Sequence, residues 1–203
     1  MEPLKTIASP AIPLPLANVD TDQLIPARFM KRPRAAGYGP FLLHDLRAAA
    51  VARGGADPLG DPRHAGAAIL VARRNFGSGS SREAAVYALA DFGLRCIVAP
   101  SFGDIFASNA VKNGMLPARV AEADAEALLA SLALIEGRDI AVDLAAQTIL
   151  AGNLVVPFAI DPVWKTQLLN GWDDIDLTLA QAPAIERFRA ADAKARPWAR
   201  LPD

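Results

Sequence analysis

Residues 67–93, AAILVARRNFGSGSSREAAVYALADFG, contain the pattern that decides the fold. Ala67 to Val71 is an apolar run of strand length, and a cluster of glycine and serine residues follows it. Apolar residues then recur at helical spacing from Glu83 to Phe92, and Gly93 is a residue type that commonly ends a helix. The stretch therefore predicts a strand, a loop and a helix in succession.

The same pattern follows immediately along the chain. Cys96 to Ala99 is a second apolar run of strand length, and Ser101 is able to cap a helix that runs to Asn113. Gly114 is placed to end that helix before a third strand, Leu116 to Val120. Ala121 to Leu134 predicts a further helix. Strands that alternate with helices are typical of an α/β domain with a mainly parallel core sheet, and this is the fold class that we predict.

The residues beyond this core predict additional strands and a helical tail. Ile140 to Leu144 alternates apolar and polar residues as a half-buried strand does. Two further strands, Thr148 to Leu150 and Leu154 to Ile160, flank Ala151-Gly152-Asn153, which is a typical hairpin turn. We expect residues 1–172 to form the α/β domain and residues 173–203 to form a peripheral helical tail of the same domain.

Composition limits the classes of function. The chain has 203 residues, 52% of them apolar, with a formal charge of −1 and no basic run suited to a phosphate backbone, so we expect no nucleic-acid partner. No apolar stretch approaches the roughly 20 residues that span a bilayer, and the N-terminus lacks a signal-peptide core, so we expect a cytoplasmic protein without membrane contact. The single cysteine, Cys96, lies in an apolar run and is predicted to be a buried structural thiol.

Residues 75–83, Asn-Phe-Gly-Ser-Gly-Ser-Ser-Arg-Glu, form the best candidate for a functional loop. Ligands of α/β sheets bind at the carboxyl ends of strands, and this loop lies between a predicted strand and a helix. Gly77 and Gly79 allow the backbone to approach a ligand closely, while amides at a helix start attract anions. Arg82 supplies a planar fork of donors, and Ser80 and Ser81 supply hydroxyls. The loop therefore predicts a small polycarboxylate substrate.

A purely structural interpretation of the same residues is also open. Ser80 could cap the helix with Glu83 completing a capping box, while Arg82 could pair with a surface acid. Spacing alone does not separate the two interpretations. The loop is neither a dinucleotide fingerprint nor a phosphate-binding loop, because the glycine spacing and the following lysine are missing.

Three stretches resemble one known family. They are Asn18 to Phe29, Asn75 to Glu83, and Ala99 to Phe106 together with Asn109 and 114–117. In this order and spacing the chain resembles, from about Ile12 to Phe188, the aconitase superfamily, and within it the small subunits of 3-isopropylmalate dehydratase. The segment Gly37 to Leu42 resembles bacterial leucine-pathway small subunits more than the fused domain of aconitase.

The resemblance implies a swivelling β/β/α domain that closes over a large subunit as a heterodimer. It implies that this chain binds no cofactor, that the large subunit carries a [4Fe-4S] cluster, and that substrate lies between the two. The implied reaction is the isomerisation of 2-isopropylmalate and 3-isopropylmalate through 2-isopropylmaleate, in leucine biosynthesis. One cysteine cannot hold such a cluster, which agrees with that division.

The resemblance also implies roles for individual residues. Ser80 matches the family's base, which removes a proton from the carbon next to a carboxylate, and Ser81 and Arg82 match residues that hold substrate carboxylate. Asp22 matches a position near the active site, although a turn-forming aspartate is an equally simple interpretation. Phe29 and Met30 favour an apolar substituent such as isopropyl.

Ala84 departs from the family pattern, which usually has a histidine after the glutamate. Two alternatives therefore stay open. One is a related hydro-lyase acting on homoaconitate, methylmalate or citraconate. The other is a non-catalytic paralogue that acts as a partner module, which the intact residues 80–82 argue against.

Overall fold

A computed structural model describes residues 1–57, 59–134 and 139–199. These residues form two four-stranded sheets and several helices. The strands are β1 Thr6–Ser9, β2 Ala11–Leu14, β3 Ile69–Ala72, β4 Cys96–Ala99, β5 Leu116–Arg119, β6 Ile140–Asp143, β7 Thr148–Ala151 and β8 Leu154–Pro157. The helices are α1 Thr21–Leu24, α2 His44–Ala52, α3 Glu83–Phe92, α4 Asp104–Lys112, α5 Glu122–Leu134, α6 Pro162–Asn170, α7 Asp174–Leu179 and α8 Ala182–Ala195.

The central sheet has the order β2-β3-β4-β5, and all of its neighbouring strands are parallel. Every residue of β3 and β4 is buried, because core packs on both faces of this sheet. Leu70 and Ile97 point into one core cluster with α3, whereas Ile69 and Val98 point into a second cluster with α5. The predicted parallel α/β core is therefore confirmed.

The second sheet is antiparallel with the order β1-β6-β7-β8. Its inward residues Val142, Ile149 and Val156 join the same core cluster as α5 and one face of the central sheet. The hairpin predicted around Ala151-Gly152-Asn153 is confirmed, since β7 and β8 pair directly and Gly152 has a φ of 60°. Helices, the parallel sheet and the antiparallel sheet thus form β/β/α layers, which is the predicted fold class.

Ser101 does not cap a helix, so this prediction is wrong. Helix α4 begins at Asp104 with Gly103 as its N-cap residue, and the Ser101 hydroxyl instead accepts a hydrogen bond from the Asn75 amide at 2.8 Å. The reason is an isolated parallel bridge between Phe76 and Phe102, which keeps the residues after β4 extended for longer than local propensity indicates.

The chain beyond residue 172 is helical as far as it is described. Helices α7 and α8 lie here, and no residue of α8 is buried. The described part of the chain contains no helix with the length and apolar character that a membrane crossing requires.

Candidate active site

Three loops meet at the carboxyl ends of the parallel strands. They follow the adjacent strands β2, β3 and β4, and parallel bridges join Asp20 to Ser78 and Phe76 to Phe102. The sheet's pairing thus continues into the loops and fixes their relative positions. Loop 75–83 lies between the other two, at the edge where α/β sheets bind ligands.

Two asparagines fix the base of the central loop. Asn18 and Asn75 have positive φ angles of 57° and 62°, a conformation that asparagine tolerates better than most residues. The Asn75 side-chain amide donates to the Asn18 side-chain oxygen at 2.9 Å. Because the Asn75 backbone amide also binds Ser101, this one residue connects all three loops.

Gly77 is buried inside the loop. Its φ is 71°, and a Cβ built there would overlap three atoms of the Phe106 ring, of which Cγ is the nearest. Its amide donates to the Val19 carbonyl at 2.7 Å. Both its amide and its open side are occupied by protein, so a contact between Gly77 and substrate stays a prediction that these contacts do not support.

The segment from Gly79 to Ser81 is exposed, in contrast to Gly77. Gly79 has a φ of 91°, which favours glycine, although a Cβ there would find ordinary space. Within the described residues, the backbone amides of Gly79, Ser80 and Ser81 donate no hydrogen bond, and neither serine hydroxyl has a partner. These donors are free to bind a ligand.

The capping interpretation of Ser80 is wrong. Helix α3 begins at Glu83 with Arg82 as the N-cap residue, and no side chain caps it. The Glu83 carboxylate accepts a hydrogen bond from the Asn113 side chain at 3.2 Å instead of completing a capping box. The unpaired amides at the start of α3 therefore add a favourable potential for an anion beside Ser80 and Ser81.

Arg82 and Asp22 form an ion pair. The Arg82 side chain is 22% exposed, and its Nη1 atom contacts a carboxylate oxygen of Asp22. The pair brings two predicted site residues together. The purely structural interpretation of the loop also predicted that Arg82 pairs with a surface acid, and this ion pair agrees with that part of it. The other donors of the Arg82 fork have no partner in the described part of the chain, so they remain able to bind a carboxylate.

Phe29 and Met30 are half-buried and pack against the first core cluster. The Phe29 ring stacks on Phe41 with centroids 4.3 Å apart and lies 4.8 Å from His44. This ring has a clear packing role, so its contact with a substrate substituent stays a prediction. Ala84 is also half-buried against the same core, and a larger residue at that position would need room at the start of α3.

Thr21 is a residue of this site that sequence reasoning did not single out. It is 1% exposed, and its hydroxyl donates to the Ser80 carbonyl at 2.9 Å. Its amide donates to the Ser78 carbonyl, also at 2.9 Å. The only signal in the sequence is its position next to Asp22, because the contact depends on the pairing of distant loops.

The described residues do not fit an iron–sulfur cluster or a bound metal ion. No group of three or more His, Cys, Asp or Glu side chains among them is placed to hold a metal. Cys96 is fully buried in β4, and burial raises the pKa of its thiol well above the usual range, so the metal-binding thiolate is disfavoured.

Comparisons with known proteins give related results. The profile of the aconitase C-terminal domain matches residues 1–123. The 3-isopropylmalate dehydratase small subunit of Teredinibacter turnerae is 43% identical over 196 residues, covering 92% of this chain and 91% of that protein. The crystal structure of 3-isopropylmalate dehydratase from Methanocaldococcus jannaschii has a TM-score of 0.65 at 22% identity, covering 91% of this chain and 99% of that one. This last likeness supports the fold alone.

Proposed function

This chain belongs to the aconitase C-terminal-domain family, among the 3-isopropylmalate dehydratase small subunits, and from that premise we propose that residues 79–82 are its part of the active site. As a member of that family it works as one subunit of a hydro-lyase of leucine biosynthesis. The reaction interconverts 2-isopropylmalate and 3-isopropylmalate through 2-isopropylmaleate, by loss and return of water.

The observation that carries this proposal is the set of unused donors around Ser80. The amides of Gly79, Ser80 and Ser81, the start of α3 and the free part of the Arg82 fork all lie within one short segment. An anion at this point would be stabilised by several dipoles that are already in place and by the free donors of Arg82, whose charge is shared with Asp22. The free Ser80 hydroxyl lies in the same segment.

In the proposed step, the Ser80 oxygen in its alkoxide form takes a proton from the carbon next to a substrate carboxylate. The electron pair of that C–H bond forms the carbon–carbon double bond, and the C–O bond of the neighbouring carbon breaks to release hydroxide. That hydroxide would be accepted by the cluster proposed for the large subunit and supplied again when water is returned to the double bond. Ser81 and Arg82 hold the carboxylate, with Gly79 allowing its close approach. In the reverse direction Ser80 returns the proton.

The exposure of residues 79–81 supports a second protein at this surface. An open loop cannot exclude water from a reacting alkoxide, so the site needs a cover. We propose that the large subunit supplies that cover in a heterodimer, that it carries the [4Fe-4S] cluster, for which the described residues of this chain form no ligand group, and that the complex works in the cytoplasm.

Substrate choice within this reaction class is proposed to depend on the residues after α1. Phe29 and Met30 favour isopropylmalate over acids with a smaller substituent, whereas a relative acting on methylmalate, citraconate or homoaconitate would differ at this segment. The free hydroxyl of Ser80 argues against a non-catalytic partner module.

The decisive experiment measures Ser80→Ala in the complex with the large subunit, beside Ser78→Ala as the matched control. Ser80→Ala should lower kcat by about 10²–10⁴-fold, which is the usual contribution of a positioned base. It should leave the melting temperature nearly unchanged, because the exposed hydroxyl has no partner. Ser78→Ala removes a hydroxyl from the same loop and should retain turnover.

Two outcomes would contradict the proposal. If Ser80→Ala retains normal kcat, Ser80 is not the base; if the isolated chain turns over isopropylmalate without a large subunit, the division between subunits is wrong. Arg82→Lys keeps the charge but loses the fork, and should raise KM and lower kcat/KM without unfolding the chain.

A further inference from the structure

The segment that carries Ser80 is held by one residue on a different loop. Thr21 opens α1, a four-residue helix that is fixed at its start by a capping box between Asp20 and Gln23. From this position Thr21 binds two carbonyls of the neighbouring loop, those of Ser78 and Ser80. Gly79 and Ser80 lie between these two carbonyls, and Gly79 has a φ of 91°.

Both contacts determine where the loop amides point. In a trans peptide the carbonyl and the following N–H point in opposite directions. Because Thr21 holds the Ser78 carbonyl towards α1, the Gly79 amide must point away from α1. The Ser80 carbonyl, held in the same way, turns the Ser81 amide away from α1 as well. These are two of the amides that have no acceptor within the described residues.

We propose that Thr21 is a positioning residue for the reaction: its amide orients the Ser78–Gly79 peptide group and its hydroxyl orients the Ser80–Ser81 peptide group, so that the Gly79 and Ser81 amides face the anion at the site. This inference rests on the proposed function of Ser80 and adds a residue that does not itself touch substrate. The hydroxyl is the part that can be tested, since substitution leaves the backbone amide in place.

Loss of the Thr21 hydroxyl should disturb the orientation of the Ser80–Ser81 peptide more than the folding of the chain. The Ser80 carbonyl also accepts a hydrogen bond from the Arg82 amide at 2.8 Å, so it keeps one donor when the threonine hydroxyl is removed. That remaining bond is local to the loop and does not connect it to α1. The loop should therefore stay formed and keep the bond between the Thr21 amide and the Ser78 carbonyl, but the Ser80–Ser81 peptide should lose its contact with α1. Small misplacements of reacting groups are costly in rate.

The experiment compares Thr21→Val, Thr21→Ser and Ser9→Ala in the complex with the large subunit. Valine has the shape of threonine without the hydroxyl and should lower kcat by about 10–100-fold with a much smaller change in KM. Serine keeps the hydroxyl and should restore kcat to within about threefold of the unchanged enzyme. Thr21→Ala carries the same expectation as valine and serves if the valine variant does not fold.

Ser9→Ala is the matched control for loss of a buried hydroxyl. Ser9 is 7% exposed, and its hydroxyl accepts a hydrogen bond from the Ala68 amide. This contact lies at the amino ends of the parallel strands, at the opposite end of the sheet from the candidate site. Ser9→Ala should lower the melting temperature and leave kcat unchanged, which separates positioning from general stability.

The outcomes distinguish this inference from the proposed function. If Ser80→Ala abolishes turnover while Thr21→Val retains kcat, only the role of Thr21 is wrong. If Ser80→Ala itself retains kcat, Ser80 is not the base, and the proposed function on which this inference rests is wrong. A Thr21→Ser variant as slow as Thr21→Val would also overturn the inference, because the hydroxyl would not be the group that matters.

Discussion

Replacement of Gly77 by alanine should destabilise the chain through a contact that the sequence does not reveal. The new Cβ would overlap the ring of Phe106, with the ring's Cγ as the nearest atom, and the φ of 71° disfavours any residue with a Cβ. The backbone conformation costs about 1–2 kcal/mol and overpacking about 1–3 kcal/mol. Alanine recovers about 0.4–1 kcal/mol by restricting the unfolded chain, so a net loss of roughly 2–4 kcal/mol is expected.

Gly79→Ala is the comparison that isolates the ring contact. It has a similar backbone conformation, with a φ of 91°, but its nearest neighbour, the Asp20 Cβ, would lie at an ordinary 3.5 Å. Its net loss of stability should be about 1 kcal/mol or less. Since it alters the exposed amide segment, it should nevertheless reduce turnover in the complex, whereas Gly77→Ala should act mainly on stability.

Thermal and urea unfolding of the isolated chains measure both variants. At about 2–4 °C per kcal/mol for a chain of this size, Gly77→Ala should melt roughly 5–15 °C below the parent. A second variant that combines Gly77→Ala with Phe106→Leu should lose less stability than the sum of the single changes, because leucine leaves room for the Cβ. Two results would contradict this reasoning: equal melting temperatures for Gly77→Ala and Gly79→Ala, or a loss of stability in the double variant that equals the sum of the single losses. Either would mean that the Phe106 contact does not explain why glycine is needed at position 77.

Three further predictions concern other parts of the molecule. Cys96 should react with a thiol reagent only after unfolding, because it is buried and its thiolate is disfavoured; rapid labelling of the native chain would contradict this. Hydrogen bonds from Arg28 and His44 hold the pKa of the Asp45 carboxyl at about 2, below its ordinary 3.8. The ionised Asp45 carboxylate therefore stabilises the fold above pH 3.8, and this stabilisation is lost as the pH falls through about 2. Carboxyl NMR should show that midpoint, and Arg28→Ala should raise it. Phe29→Ala should reduce kcat/KM for isopropylmalate more than for methylmalate, by about 1–2 kcal/mol of transition-state stabilisation; equal losses would remove Phe29 from the substrate site.

Local sequence patterns were sufficient for the elements around the site. Helix α3 occupies Glu83–Phe92 as predicted, and Gly93 ends it in the left-handed conformation. The strand Cys96–Ala99 also has its predicted bounds. Helical periodicity, a terminal glycine and a fully buried apolar run are properties of neighbouring residues, so they are visible without knowledge of the fold. The candidate loop was found in the same way, from its place between a strand and a helix.

What the sequence by itself determined is therefore the α/β class, the family and the candidate loop to which we assign the chemistry. Only the tertiary structure decided which loop residues face outward. It placed Gly77 against Phe106, left Gly79 exposed, and paired Arg82 with Asp22, sixty positions away. It also brought Thr21 to the Ser80 carbonyl. The physical reason is that these contacts arise from the parallel pairing of β2, β3 and β4, which joins three loops that are far apart in the chain, and no local propensity encodes that pairing.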